Sequence, residues 1–364
     1  MKLSRVNIFI CLIFFIMSCT TKQKESSETK LNMIVGTYTG SGSEGIYICS
    51  LDTVSGKQFI TDSISQENPS FISLSPDKKY LYAVTENEDS TAGVTAYNFY
   101  NGKLTKLNSI AGLGSAPCNI ATNCDEIATA EYGGGSMTRY LLNSDGSIGK
   151  LLQHTIFKGN SVDKRAQLSP HIHSVIYNED GNLYISDLGC DKIYVQKDST
   201  IIDTLLFEPN FGPRHFTFNH KNDMMYVIGE LSGKVAVLKR YNGSFKTIQY
   251  ILSDLTDGVN GKGSADIHIS NDGKFLYTSN RLKSDGITIF SILPDGTLKM
   301  AGYMNTGIHP RNFAITPDDK WLVVTCRDSN SIEFYERNRE TGLLTPRKEF
   351  TIKEINKPVF VTFF

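Results

Sequence analysis

The chain reads as an all-β protein, a seven-bladed β-propeller with four antiparallel strands in each blade. Two observations carry this expectation. A hairpin pattern recurs seven times at blade spacing, and the last residues of the chain match the one piece missing from the first copy. The pattern is a short apolar strand, a polar turn and a second apolar strand. It is plainest at Ser75-Pro76-Asp77-Lys78-Lys79-Tyr80-Leu81-Tyr82, at Asn271-Asp272-Gly273-Lys274-Phe275-Leu276-Tyr277 and at Pro317-Asp318-Asp319-Lys320-Trp321-Leu322-Val323. Weaker copies stand at Glu179-Asp180-Gly181-Asn182-Leu183-Tyr184 and Lys221-Asn222-Asp223-Met224-Met225-Tyr226. Asp-Gly and Pro-Asp dipeptides suit hairpin bends because they supply a positive or a preset φ.

One position in the second strand of each copy sets the period: Ile34, Tyr82, Ala128, Tyr184, Tyr226, Tyr277 and Val323. The intervals are 48, 46, 56, 42, 51 and 46 residues. Repeats of that size, built of strand and turn, fit four-stranded blades. A helical solenoid would need apolar residues at helical period, and the chain lacks them. The first strand of each hairpin has its own opening: Pro69-Ser70-Phe71, Pro117-Cys118-Asn119, Pro170-His171-Ile172, Pro213-Arg214-His215, Ala265-Asp266-Ile267 and Pro310-Arg311-Asn312. The copy around Ile34 has none. Its counterpart is Lys357-Pro358-Val359-Phe360-Val361-Thr362-Phe363 at the far end, which has the form of Asn68-Pro69-Ser70-Phe71-Ile72-Ser73-Leu74. The C-terminal strand is therefore expected to complete the first blade, which closes the ring and removes an exposed sheet edge.

The 364 residues, 40% hydrophobic and 21% charged, have the composition of a soluble globular protein, apart from the first thirty. Lys2 and Arg5 precede an apolar run from Ile8 to Met17, too short to span a bilayer and of the size of a signal-peptide core. The run ends in Ile16-Met17-Ser18-Cys19, which resembles the lipobox of bacterial lipoproteins. That resemblance implies a signal peptide at 1–18, lipidation of Cys19, and export to a membrane facing the periplasm or the cell exterior. Residues 19–32 read as a polar tether, with the propeller at 33–364. The formal net charge of -1 argues against a nucleic-acid partner. Cys49, Cys118, Cys124, Cys190 and Cys326 are odd in number, widely scattered and without a C-x-x-C pair, so they read as core thiols rather than a metal or disulfide framework. A monomer or weak oligomer is expected.

Five of the seven histidines fall in the short blade openings: His171, His173, His215, His268 and His309. Arg214, Asp266 and Arg311 join them, and Glu86, Glu230, Arg281 and Arg327 each lie four residues beyond their repeat position. Polar propeller channels are common, but this set suits ester chemistry. Opening a lactone needs a base for water and donors for the developing oxyanion. A His or Glu fits the first role and Arg the second, with a further Arg free to clamp an anionic group. No Gly-x-Ser-x-Gly elbow is present, which argues against a serine acyl-enzyme. His171 and His173 could share a metal on one strand face, yet no supporting ligand spacing accompanies them, and no metal is expected.

At these residues the sequence resembles the seven-bladed lactonase family, which includes propeller-type bacterial 6-phosphogluconolactonases and fungal muconate cycloisomerases. The likeness covers about residues 33 to 364 through an ordered set of motifs: Gly36-Thr37-Tyr38-Thr39, Tyr132-Gly133-Gly134-Gly135-Ser136, Pro170-His171-Ile172-His173-Ser174, Gly212-Pro213-Arg214-His215, Gly229-Glu230-Leu231, Asp266-Ile267-His268 and Ser279-Asn280-Arg281. The resemblance implies a lactone hydrolase without metal or organic cofactor. His173, Arg214, Glu230 and Arg281 would be its catalytic groups, with His173 or Glu230 as base, and His171, His215 and His268 would contact the substrate. Its substrate would be a small sugar-derived lactone. Two departures bear on which one. Asn119 replaces a His common in the family, and Glu131 replaces an Asn before Tyr132; Glu131 is expected near the mouth, where it would repel a phosphate. An exported propeller that only binds a ligand or protein, and a cycloisomerase closing a dicarboxylic lactone, are the competing readings.

Overall fold

The polar turns fold as their residues dictate. Ser75, Ser270 and Thr316 each donate a side-chain hydrogen bond to the Asp two residues on, Asp77, Asp272 and Asp318, at 2.7, 2.6 and 2.5 Å. Each bend then returns the chain antiparallel to itself. The computed structural model describes residues 30–257 and 262–364; the expected signal peptide, Cys19 and most of the expected tether lie outside them. Among the described residues the strands form seven sheets of four, each antiparallel, as expected. In the first sheet the order is Pro358–Phe363, Lys30–Thr37, Gly45–Asp52, Gln58–Ser65, so the C-terminal strand is the innermost strand of blade one. The other inner strands are Ile72–Leu74, Pro117–Thr122, Ile172–Tyr177, Pro213–Phe218, Ser264–Ile269 and Pro310–Ile315.

Two expectations need correction. The tether does not run to residue 32: the first strand starts at Lys30, because Lys30, Leu31 and Asn32 pair with Asp52, Leu51 and Ser50 and Leu31 packs on the core. The five cysteines are free, as expected, but Cys124 is exposed in a turn and only the other four are buried.

The core is divided among the blade interfaces. Met33 and Val35 of blade one meet Trp321 and Phe334 of blade seven, and Tyr226 and Ile228 of blade five meet Leu276 and Phe290 of blade six. The repeat position has a direct task there. Tyr82, Tyr226 and Tyr277 each donate their hydroxyl to a glycine carbonyl in the outer turn of the next blade: Gly146 at 3.0 Å, Gly296 at 2.9 Å and Gly342 at 2.8 Å. These glycines have φ of 81, 88 and 73°. A Cβ at Gly146 would stand 2.2 Å from Tyr80, and one at Gly342 would stand 2.3 Å from Phe275. Glycine is thus required both for the left-handed backbone and for the approach of the neighbouring blade.

Strand register aligns the blades at the channel. Ala121, Ile176, Thr217, His268 and Ala314 lie opposite the repeat residues Ala128, Tyr184, Tyr226, Tyr277 and Val323. Three residues before each come Cys118, His173, Arg214, Ala265 and Arg311, which therefore share one rung. The ends of the second strands, four residues past the repeat position, form another rung at the same end of the sheets. It holds Tyr38, Glu86, Tyr132, Glu230, Arg281 and Arg327.

Candidate active site

These two rungs meet over Glu230. Its Oε2 accepts from Arg214 Nε at 2.9 Å, pairs with Arg281 Nη2 at 3.2 Å, and lies 4.0 Å from His173 Nε2. Arg214 and Arg281 are almost fully buried, whereas Glu230 keeps about a quarter of its side chain exposed, so the group opens to solvent through the carboxylate. Arg214 Nη1 also donates to Ala265 O at 2.5 Å, and Arg281 Nε donates to Gly263 O at 2.8 Å. Among the described residues, Arg214 Nη2 and Arg281 Nη1 carry no hydrogen bond and remain as donors. Beside them Arg311 pairs with Glu86 at 3.4 Å and lies over the Tyr38 ring, whose hydroxyl donates to Glu86 at 2.9 Å.

Burial alone would raise the Glu230 carboxyl, but Arg281, Arg214 and Arg311 outweigh it and hold it below the usual value. Burial, reinforced by Arg214, keeps the His173 imidazole well below its ordinary range, hence neutral. Burial also brings Arg281 down to about 10 against the pull of Glu230, which leaves it charged at neutral pH. Three guanidiniums, Arg214, Arg281 and Arg311, therefore meet two carboxylates, Glu230 and Glu86, around a neutral imidazole.

The floor of this mouth is the next rung down. His215 Nδ1 bonds Asp266 Oδ1 at 2.7 Å, and its ring meets Phe71 from across the channel edge-on at 5.7 Å. Beyond Asp266, His268 Nε2 bonds the other carboxylate oxygen at 2.9 Å. His268 faces two adjoining cavities of about 370 and 300 Å³ that lie past this floor.

A match to the family model "Lactonase, 7-bladed beta-propeller" runs over residues 32–363, nearly all of the described chain. The chain belongs to this lactonase family. Among its relatives, a 6-phosphogluconolactonase of Formosa agariphila is 36% identical over 86% of this chain and 94% of its own length. The 6-phosphogluconolactonase of Bacillus subtilis is 34% identical over 87% of this chain and 94% of its own. The solved structure of a Pseudomonas aeruginosa periplasmic gluconolactonase is 26% identical, with a TM-score of 0.85 over 92% of this chain and 99% of that one.

Within this lactonase propeller the four residues carried over by motif, His173, Arg214, Glu230 and Arg281, are brought together. His171 stacks on Tyr132 at 4.4 Å with Nδ1 on the Tyr132 carbonyl, while His173 meets the edge of the same ring at 5.5 Å. His215 and His268, expected as substrate contacts, are not placed as such. Both ring nitrogens of His215 are engaged below the mouth, and His268 lies beyond the floor. The two departures also move away from the substrate. Glu131 is buried within blade three, where Thr129 and Ser136 donate to it at 2.6 and 2.7 Å. Asn119 accepts from the Val175 backbone at 3.0 Å and ties blade three to blade four. The expected repulsion of a phosphate by Glu131 therefore has no basis in this fold. Arg311 and Tyr38 complete the mouth, although the resemblance assigns neither a catalytic or substrate-binding role. Arg311 shares the Pro-Arg opening of Arg214, and Tyr38 sits four residues past Ile34, so the repeat itself signals both. A separate cavity of about 510 Å³, bordered by Glu333, Arg347 and Lys348 at the outer side of blade seven, contains none of these residues.

Proposed function

We propose that the chain is a cofactor-independent lactonase that opens a sugar-derived lactone at this mouth. The observation that carries the reading is the excess of guanidinium over carboxylate around a neutral imidazole. A lactone carbonyl gains negative charge as water adds to it, and fixed buried donors stabilise that charge far better than water does. In this reading Arg214 Nη2 and Arg281 Nη1 receive the oxyanion. His173 takes the proton of the attacking water, and Glu230, 4.0 Å away, steadies the imidazolium so formed. The ring C–O bond then breaks, and His173 returns the proton to the departing ring oxygen, which becomes a hydroxyl. Glu230 is the poorer base, because two guanidiniums already hold its Oε2. Arg311 supplies cationic surroundings for the carboxylate product or for a phosphate on the substrate.

The relatives act, by name, on phosphorylated and on unphosphorylated gluconolactone, and this proposal includes an unphosphorylated lactone met outside the cytosol, in keeping with the lipobox-like Cys19. The test is hydrolysis of gluconolactone and 6-phosphogluconolactone by residues 30–364, corrected for spontaneous opening, against Arg214→Ala and Glu230→Ala. Loss of about a hundredfold or more in kcat/KM in both variants at unchanged melting temperature is expected. Preference for the phosphorylated lactone would count against an extracytosolic role. Absence of turnover on either, from folded protein, would favour a binding propeller.

A further inference from the structure

Arg214 is held on its far side by a chain of buried groups that begins at Asp266. This carboxylate is fixed by four donors or ring contacts from three blades. Oδ1 meets His215 Nδ1 at 2.7 Å, and Oδ2 accepts from Asn312 Nδ2 at 2.6 Å and Phe313 N at 3.3 Å and meets His268 Nε2 at 2.9 Å. A carboxylate only accepts, so the His215 proton sits on Nδ1 and its Nε2 carries a bare lone pair. That lone pair lies 3.3 Å from Arg214 Nη1, which also donates to Ala265 O. Arg214 Nε then reaches Glu230. Every member of the chain has a defined donor and acceptor direction, running from Arg214 through His215 to Asp266.

We infer that Asp266 and His215 form a positioning pair that fixes the plane of the Arg214 guanidinium. This inference rests on the reading of Arg214 as an oxyanion donor. His215 touches no substrate here; it acts through Arg214. Burial, with the Arg214 charge, brings His215 down to about 4 despite Asp266, so the imidazole stays neutral at physiological pH and keeps its acceptor nitrogen. Without that acceptor one N–H of Nη1 loses its partner, and the guanidinium can tilt about its remaining bonds to Ala265 O and Glu230. A displacement of about 1 Å at a catalytic donor is enough to cost about a hundredfold in rate.

The purified full-length protein is compared with His215→Gln and His215→Leu. Both side chains fill comparable space, but only glutamine offers an N–H to Asp266 together with an oxygen to Arg214. The expected result is a kcat about tenfold to a hundredfold lower in His215→Leu with KM within about twofold, and kcat within about threefold of wild type in His215→Gln. Equal losses in the two variants, or no loss in either, would overturn the inference. Nitrogen NMR supplies a readout that needs no turnover. Wild type is expected to show His215 protonated at Nδ1 and bare at Nε2, with a slowly exchanging Arg214 Nη1–H toward His215 that His215→Leu loses and His215→Gln keeps. A wild-type His215 protonated at Nε2 would refute the positioning pair whatever the activity. A wild type that hydrolyses no lactone yet shows the expected signals would sink the functional reading and leave the pair standing.

Discussion

At Glu230 a single oxygen serves two guanidiniums, and with Arg311 they keep its carboxylate ionised against burial. The carboxylate stays ionised and His173 stays neutral, so neither changes charge near neutral pH. The sign follows from His173, whose proton is bound less tightly than in a free imidazole, so the basic form is present above a value that itself lies below 6.5. Corrected kcat/KM is therefore expected to be flat from about pH 6.5 to 8 and to fall only on further acidification. A half-point near 7 in that profile would remove His173 as the base. At this scale much of the site could be read in advance, since His173, Arg214, Glu230 and Arg281 each sit in a short motif. What could not be read was direction. His215 follows Arg214 directly, yet its nitrogens bond Asp266 and its neighbour's guanidinium, because the two side chains meet at the channel floor. Glu131 looked like a mouth residue and is instead tied to Thr129 and Ser136 inside its own blade.

The second strands carry two tasks at fixed spacing, a core contact at the repeat position and, in every blade but the fourth, where buried Leu188 takes the place, a mouth residue four positions on. At Tyr82, Tyr226 and Tyr277 the hydroxyl also binds the next blade. Tyr226→Phe leaves the Gly296 carbonyl buried without its donor at unchanged packing, so a loss of about 1–2 kcal/mol is expected from urea unfolding. Gly296→Ala should lose more. Its φ of +88° disfavours any side chain, and a Cβ would stand 2.4 Å from Met224 Cε. Equal stability of Tyr226→Phe and wild type would show that the bond between blades contributes nothing. The seven-fold hairpin spacing was legible because Tyr, Gly and Asp-Gly are dictated locally, by φ and by a one-blade contact. The start of the first strand at Lys30 was not legible. Lys30-Leu31-Asn32 are polar enough to pass for tether, and only pairing with Ser50–Asp52 makes them strand.

For the whole molecule, the ring exists only if its two ends meet. Pro358–Phe363 pairs along Met33–Thr37, and its Val361 N–H donates to Asn312 of blade seven at 2.8 Å. The same strand thus joins the first blade to the last. Val359, Phe360 and Val361 are buried, Phe360 in the cluster with Ile34, Ile72 and Leu81 of the first two blades. At about 2 kcal/mol for each of these side chains, removing them costs about 6 kcal/mol. That is comparable with the whole stability of an average domain. Deleting 358–364 also turns Lys30–Thr37 into an open edge facing the channel, with its apolar neighbours exposed. The truncated chain is expected to lose its cooperative transition or to melt well below wild type, with aggregation as a consequence of the free edge. Because such a chain could be too insoluble to study, Phe360→Asp and rescue by a peptide of residues 357–364 form the second arm. The substitution should lower the midpoint, and the peptide should raise that of the truncated chain in proportion to its concentration. A truncated propeller melting cooperatively at the wild-type temperature would mean that blade one is held by its outer three strands alone, and that the ring needs no closure.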